Sequence, residues 1–197
     1  MRSRGIVVKA LITSILENKN LLALPDAVEG GALPALISGL APVHRAHLAA
    51  AVRIRTGRPV IVVTTDETAA ETFAADMRSF LSEETAVIGS RDYTFYDAET
   101  VSRQAEQRRI TSMYDLLTGK ISVAVCTAAS LLQRTIPPSG MERVCFTLKR
   151  GQNIPPEDTI DRLIKAGYRS TEQVEGPGQF AHRGGILDIW STGEATP

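Results

Sequence analysis

Cysteine is nearly absent from this 197-residue chain: only Cys126 and Cys145 occur, nineteen positions apart. A disulfide framework and a Cys-based zinc site both need paired ligands at short spacing, so neither is expected. His44 and His47 stand three apart with no third ligand nearby, so no metal site is expected there either. Cys126 lies inside an apolar run, where a thiol behaves as a small buried hydrophobe. Aromatic residues make up only 5% and include a single tryptophan. No apolar stretch approaches the ~18 residues that span a bilayer. Residues 1–16 run from Arg2 and Arg4 to Ile15 and Leu16, but Lys9 interrupts them and no small-residue cleavage site follows. The chain is therefore expected to be cytoplasmic, with no membrane partner.

Net charge is also lacking, since Lys+Arg and Asp+Glu number 22 each. Overall charge thus gives no sign of a nucleic-acid binder. The distribution is less even. Residues 66–100 hold nine acids against Arg78 and Arg91, whereas residues 101–150 hold eight bases against Glu106, Asp115 and Glu142. A modestly basic segment of this kind is more often a solvated face than a phosphate track.

What is present is a hydrophobic share of 43%, enough for a packed core, arranged in alternating periods. The spacing predicts an amphipathic helix over 5–25, ended before Pro25, then a short strand at Leu33–Ile37. Pro42 is placed to open a helix that Gly57 stops. The β-branched run after Arg58 reads as a buried parallel strand. Thr65 or Asp66 caps a helix whose stripe is Ala70, Phe73, Ala74, Met77, Phe80 and Leu81. A strand at Thr85–Ile88, a helix from Val101 to Leu117, a strand at Ile121–Cys126 and a short helix with Leu131 and Leu132 follow. This alternation predicts an α/β domain, a parallel sheet with helices on both faces, over residues 1–138. Pro137-Pro138-Ser139-Gly140 marks a boundary. Beyond it, residues 139–197 read as α+β: a strand at Arg143–Lys149, a helix from Pro155 stopped by Gly167, and a hairpin in which Gly176-Pro177-Gly178 precedes the strand Ile186–Trp190.

The strand, turn and helix at 33–56 have the frame of a phosphate loop. Laid on G-x-x-x-x-G-K-[ST], only Gly39 survives. His44 takes the place of the second glycine, Arg45 that of the lysine, and Ala46 that of the magnesium-binding hydroxyl. Pro42 also removes an N–H from a loop whose work is to donate N–H groups. No acidic cluster ends the strand at Ile121–Cys126. The expectation is a degenerate loop with neither nucleotide nor magnesium. Ser38, Ser130 and His182 have no base or carboxylate at a suggestive spacing, so no catalytic constellation is found. Tyr93, Phe95 and Tyr96, with Arg103, Arg108 and Arg109, leave open a DNA-binding platform.

Four blocks together resemble the amino-terminal, UvrB-like module of the bacterial transcription-repair coupling factors. They are Leu36–Ala41, Pro59–Thr64, Thr118–Gln133 and, most specific, Gly167-Tyr168-Arg169 followed by Val174–Ile189 with its Phe180-Ala-His-Arg183-Gly-Gly core. The resemblance implies a RecA-like first domain, akin to UvrB domain 1a, that has lost its ATPase motif, and an inserted second domain that recruits UvrA. The contact is carried over to Arg183, Phe180 and Arg169. Two departures bear on it. UvrB-like sequences tend to carry a second arginine where Ala181 stands, and many relatives place the earlier arginine where Ser170 stands. The resemblance further implies a longer protein, an ATP-dependent DNA translocase that also engages RNA polymerase and DNA, of which this chain is a fragment whose inserted domain continues past Pro197. An active UvrB-like unwinding domain is the enzymatic alternative, disfavoured by His44, Arg45 and Ala46. On chemistry alone, Arg183 could instead pair with Asp188 or Glu175 inside its own hairpin.

Overall fold

The β-branched run that begins at Val60 is the edge of a three-stranded parallel sheet, seen in a computed structural model that describes residues 17, 19–32, 34–81, 83–90, 103–194 and 196. The chain divides into two compact units. One takes the described residues of 1–91 and 115–133, the other those of 92–114 and 134–197. No helix among the described residues is long and apolar enough to cross a membrane.

In the first unit the elements run α1 (Lys19–Gly30), α2 (Pro42–Thr56), β1 (Val60–Thr64), α3 (Glu67–Phe80), β2 (Thr85–Ile88), the last turn of α4 (Arg103–Leu117), β3 (Val123–Thr127) and α5 (Ala128–Leu132). The sheet order is β1-β3-β2, all parallel, with Val62, Val125 and Val87 in one row. The central strand β3 is buried throughout. Helices α2 and α3 cover one face. Ala46 and Ala50 of α2 and Met77 of α3 close over Val123, while Ala70 and Ala74 bring α3 down onto Val125. Alanines one turn apart let a helix approach this closely, and each buried apolar group adds to the hydrophobic term.

The expected punctuation of these helices is observed. Pro42 opens α2, and Gly57 ends it at φ 66°. Asp66 caps α3 by accepting from the Ala69 N–H at 2.8 Å. Arg53, in the last turn of α2, reaches Glu83 at 3.1 Å and the Ser122 hydroxyl at 2.9 Å, tying the helix to the segments that enter β2 and β3.

Four features differ from the sequence expectations. Residues 34–38 join no sheet, and Leu36 is 96% exposed. An apolar run becomes a strand only where a ladder partner exists, and Pro34 removes one of its donors. Helix α1 runs through Pro25 instead of stopping before it. Pro25 is fully buried, and packing of its ring offsets the one intrahelical bond it cannot make. On the face of the sheet away from α2 and α3, Ile61 is 58% and Val63 51% exposed, so β1 is not buried on both sides. Finally, Pro138 starts a short helix, α6 (Pro138–Val144), and residues 145–149 are irregular where a strand was expected. Two successive prolines, one extended and one at the first helical position, favour a helix start over a linker. The helix expected over residues 5–16, Leu33, and the aromatics Tyr93, Phe95 and Tyr96 lie outside the described residues.

The second unit holds the first three turns of α4, α6, α7 (Pro156–Lys165) and a separate mixed sheet. Helix α7 places Glu157 and Asp158 in its first turn and Arg162 and Lys165 in its last, matching the helix dipole at both ends. Its Leu163 and Thr159 are buried, and Arg162 lies over the Phe146 ring at 4.1 Å. The sheet comprises β4 (Arg169–Ser170), β5 (Gln179–Arg183) and β6 (Ile186–Trp190). Strand β5 is central, parallel to β4 and antiparallel to β6.

Met77→Ala is expected to cost about 2–5 kcal/mol, read as a lowered urea midpoint, because it empties a closed site under Val123. Asp66→Ala tests the cap. The Ala69 N–H and then the Thr65 hydroxyl hold the Asp66 carboxyl below its ordinary pKa. A depressed native pKa stabilises above the unfolded value, and that contribution is lost as pH falls through the native one. The variant should melt lower than wild type at neutral pH, and the gap should close in acid.

Candidate partner-binding face

Strand alternation decides which of the sequence-selected residues share a surface. Arg169 of β4 pairs in register with Gln179, and Gln179 with Trp190. Arg183 stands four positions beyond Gln179 on the same strand and pairs with Ile186. Side chains two and four positions apart point to one side. Arg169, Arg183, Ile186, Asp188 and Trp190 therefore share a face. At ~3.3 Å per residue and ~4.8 Å between strands, the two arginine Cα atoms are roughly 14 Å apart.

Two glycines make this arrangement possible. The hairpin turns at Gly184-Gly185, with Gly184 at φ 59°, the position where a type II′ turn requires glycine. Gly178 has φ 76°, and a Cβ there would meet Gln107 Nε2 at 2.6 Å. That same nitrogen donates to the Pro177 carbonyl at 2.9 Å, and the Gln179 amide oxygen accepts from the Glu175 and Gly176 N–H groups. The bend before β5 is thus held from both sides.

Arg183 is exposed and carries one ion pair, Nη2 to the Asp188 carboxylate at 2.9 Å. Of the two intramolecular partners considered from sequence, the structure selects Asp188. Arg169 is exposed on the neighbouring strand, and among the described residues no carboxylate lies within ion-pair distance of it. The Trp190 indole N–H donates to the Glu194 carbonyl at 3.0 Å, which fixes the ring at the far end of the face.

Phe180 departs from expectation. It is 1% exposed and is the largest fully buried side chain in the chain's described part, so it does not face a partner. The reason is parity: 180 and 183 differ by an odd number, which puts the two side chains on opposite sides of the sheet. Ile186 is visible in sequence only as part of an apolar strand, whereas Asp188 is named there as a possible partner of Arg183. Counting back from the Gly184-Gly185 turn would have placed both beside Arg183.

The degenerate loop of the first unit has a different character. Gly39 turns the chain at φ 78°, and Ala41 enters α2 without a side-chain cap. The His44 and Arg45 N–H groups both bond the Ala41 carbonyl, at 3.0 and 3.1 Å, and Pro42 has none to offer. Arg45 Nε folds back onto the Leu40 carbonyl at 3.1 Å, while Ala46 is fully buried. The His44 and Arg45 N–H groups are thus taken by the first turn of α2. The basic platform is reduced too, since Arg109 is buried while Arg108 is exposed.

The sheet that carries this face lies inside residues 146–197, which match the family model described as the UvrB interaction domain. Similarity extends along most of the chain. A transcription-repair-coupling factor of Bacillus subtilis (strain 168) is 23% identical over 187 residues, 94% of this chain and 16% of that protein. Those of Escherichia coli (strain K12) and Mycobacterium tuberculosis (strain CDC 1551 / Oshkosh) are 25% and 31% identical over 162 and 168 residues, each 82% of this chain and 14% of theirs. The chain is similar to the transcription-repair-coupling factors. It spans no more than about a sixth of the length of the coupling factors it matches, and the matched residues 146–197 take in both exposed arginines.

Phe180→Ala separates core from surface. It should destabilise the second unit by about 3–5 kcal/mol, seen as a lower melting transition, so lost binding in that variant would report unfolding.

Proposed function

We propose that this chain is a non-catalytic adaptor module of transcription-coupled nucleotide excision repair, recruiting UvrA through the second unit. The observation that carries this is the coincidence of the UvrB interaction domain match with a sheet face bearing two exposed arginines, Arg169 and Arg183. Arginine suits protein interfaces because its planar fork makes bidentate pairs and its face stacks on aromatics. The absence of a Cβ at Gly184 and Gly185, with open space around both, lets a partner backbone approach beside Arg183.

Residues 1–138 are read as a degenerate helicase-like domain related to UvrB domain 1a, followed by the UvrA-binding domain from 139. The His44 and Arg45 N–H groups taken by the Ala41 carbonyl, and Ala46 in the hydroxyl position, support a loop that takes neither ATP nor magnesium. ATP-driven translocation and contacts to RNA polymerase and DNA would then belong to other parts of a longer protein, and the setting would be cytoplasmic.

Arg183→Ala should weaken a UvrA complex about tenfold or more by titration calorimetry while leaving the melting temperature within a degree or two, as befits an exposed anchor. Unchanged affinity in an Arg169→Ala/Arg183→Ala chain that is folded would remove the proposal. Millimolar ATP with magnesium should leave the melting temperature unmoved, because only a ligand bound by the folded state raises it.

A further inference from the structure

Arg183 is an anchor that is already partly occupied. Its Nη2 holds the Asp188 carboxylate at 2.9 Å, with the two side chains 63% and 43% exposed. Asp188 does not stand opposite Arg183. It pairs with Ala181, and the contact runs diagonally across the ladder, a reach that long side chains manage. The tether is single-pronged: a guanidinium offers five N–H donors, and Nε and Nη1 make no hydrogen bond to any described residue. Directly across the ladder lies Ile186, 64% exposed, an uncovered branched side chain next to the cation. Arg169, at the other end of the face, has no such tether.

An exposed ion pair of this geometry is weak, so it is not required for the fold and can be exchanged. A diffuse acidic surface meets Arg183 with Asp188 already beside it, and like charges repel. A carboxylate that displaces Asp188 from Nη2 and takes Nε with it, on a partner whose apolar surface seats on Ile186, gains the two-pronged geometry that Asp188 lacks. We infer that Asp188 determines the specificity of this face by holding one arm of Arg183, so that it selects partners offering a well-placed carboxylate beside an apolar contact over merely acidic ones. This rests on the proposed UvrA docking and adds to it a residue that works against affinity and in favour of discrimination.

The experiment compares wild type, Asp188→Asn, Arg183→Ala and the double variant, each confirmed folded by its melting transition. Two probes are used, UvrA and a polyglutamate peptide. Asp188→Asn should bind UvrA about threefold to tenfold tighter and polyglutamate tighter by a larger factor, so that the UvrA-to-polyglutamate ratio falls. In the double variant both gains should vanish. Equal or weaker binding in Asp188→Asn overturns the inference, as does a gain that survives in the double variant, which would make it a plain charge effect felt through Arg169. If UvrA binds none of the four, the docking proposal fails separately, and the polyglutamate arm still decides the tether: a gain that depends on Arg183 keeps it, any other result discards it.

Discussion

The antiparallel ladder between Gln179–Arg183 and Ile186–Trp190 is the constraint on which the functional surface depends. Its period of two allows no compromise: a slip of one residue would send Arg183 inward and bring Phe180 out. The register is pinned at one end by the Gly184-Gly185 turn. At the other it is held by the bend at Gly178, where the Gly178 N–H bonds the Trp190 carbonyl at 2.8 Å and the Arg169 backbone N–H donates to the Gly178 carbonyl at 2.9 Å. The buried Phe180 supplies the hydrophobic reason for keeping that register, and the exposed arginines are its consequence. Phe180 on one side of the strand and Arg183 on the other set this register, with Ala181 buried on the arginine side.

The two units divide structural and chemical interest unequally. In the first, the small residues Ala46, Ala50, Ala70 and Ala74 let two helices close on one face of a parallel sheet. The loop before α2 keeps the outline of a phosphate site, with Gly39 at positive φ and a helix start just beyond. The His44 and Arg45 N–H groups bond the Ala41 carbonyl, and Arg45 Nε bonds the Leu40 carbonyl. The second unit supplies a surface in which positive charge, an apolar side chain and open backbone lie together.

Much of this was legible in the residues because the signals were local. The caps Asp66 and Gly57, the first-turn prolines of α2 and α7, and the stripe along α3 are fixed by chemistry within a few positions. The failures share a non-local cause. Residues 34–38 and 145–149 have the composition of strands, but a strand exists only if a partner is brought alongside, and sequence does not say which runs find one. Pro25 was read as a stop because the burial that compensates its missing bond comes from tertiary packing. The resemblance groups Phe180 with Arg183, whereas the parity of 180 and 183 separates them. The pairing of β4 with β5, which brings Arg169 onto the face, joins residues about ten positions apart through a two-residue strand too short to leave a pattern.

The most direct measurement of the central claim is hydrogen exchange on this chain with and without UvrA, resolved to single peptides. Slower exchange confined to the Arg169–Ser170 strand and the hairpin around Gly184-Gly185, with no change at the α2 entry near Ala41–Ala46, is the result expected of a docking face on the second unit. Protection in the first unit alone, with the hairpin exchanging as freely as before, would contradict it.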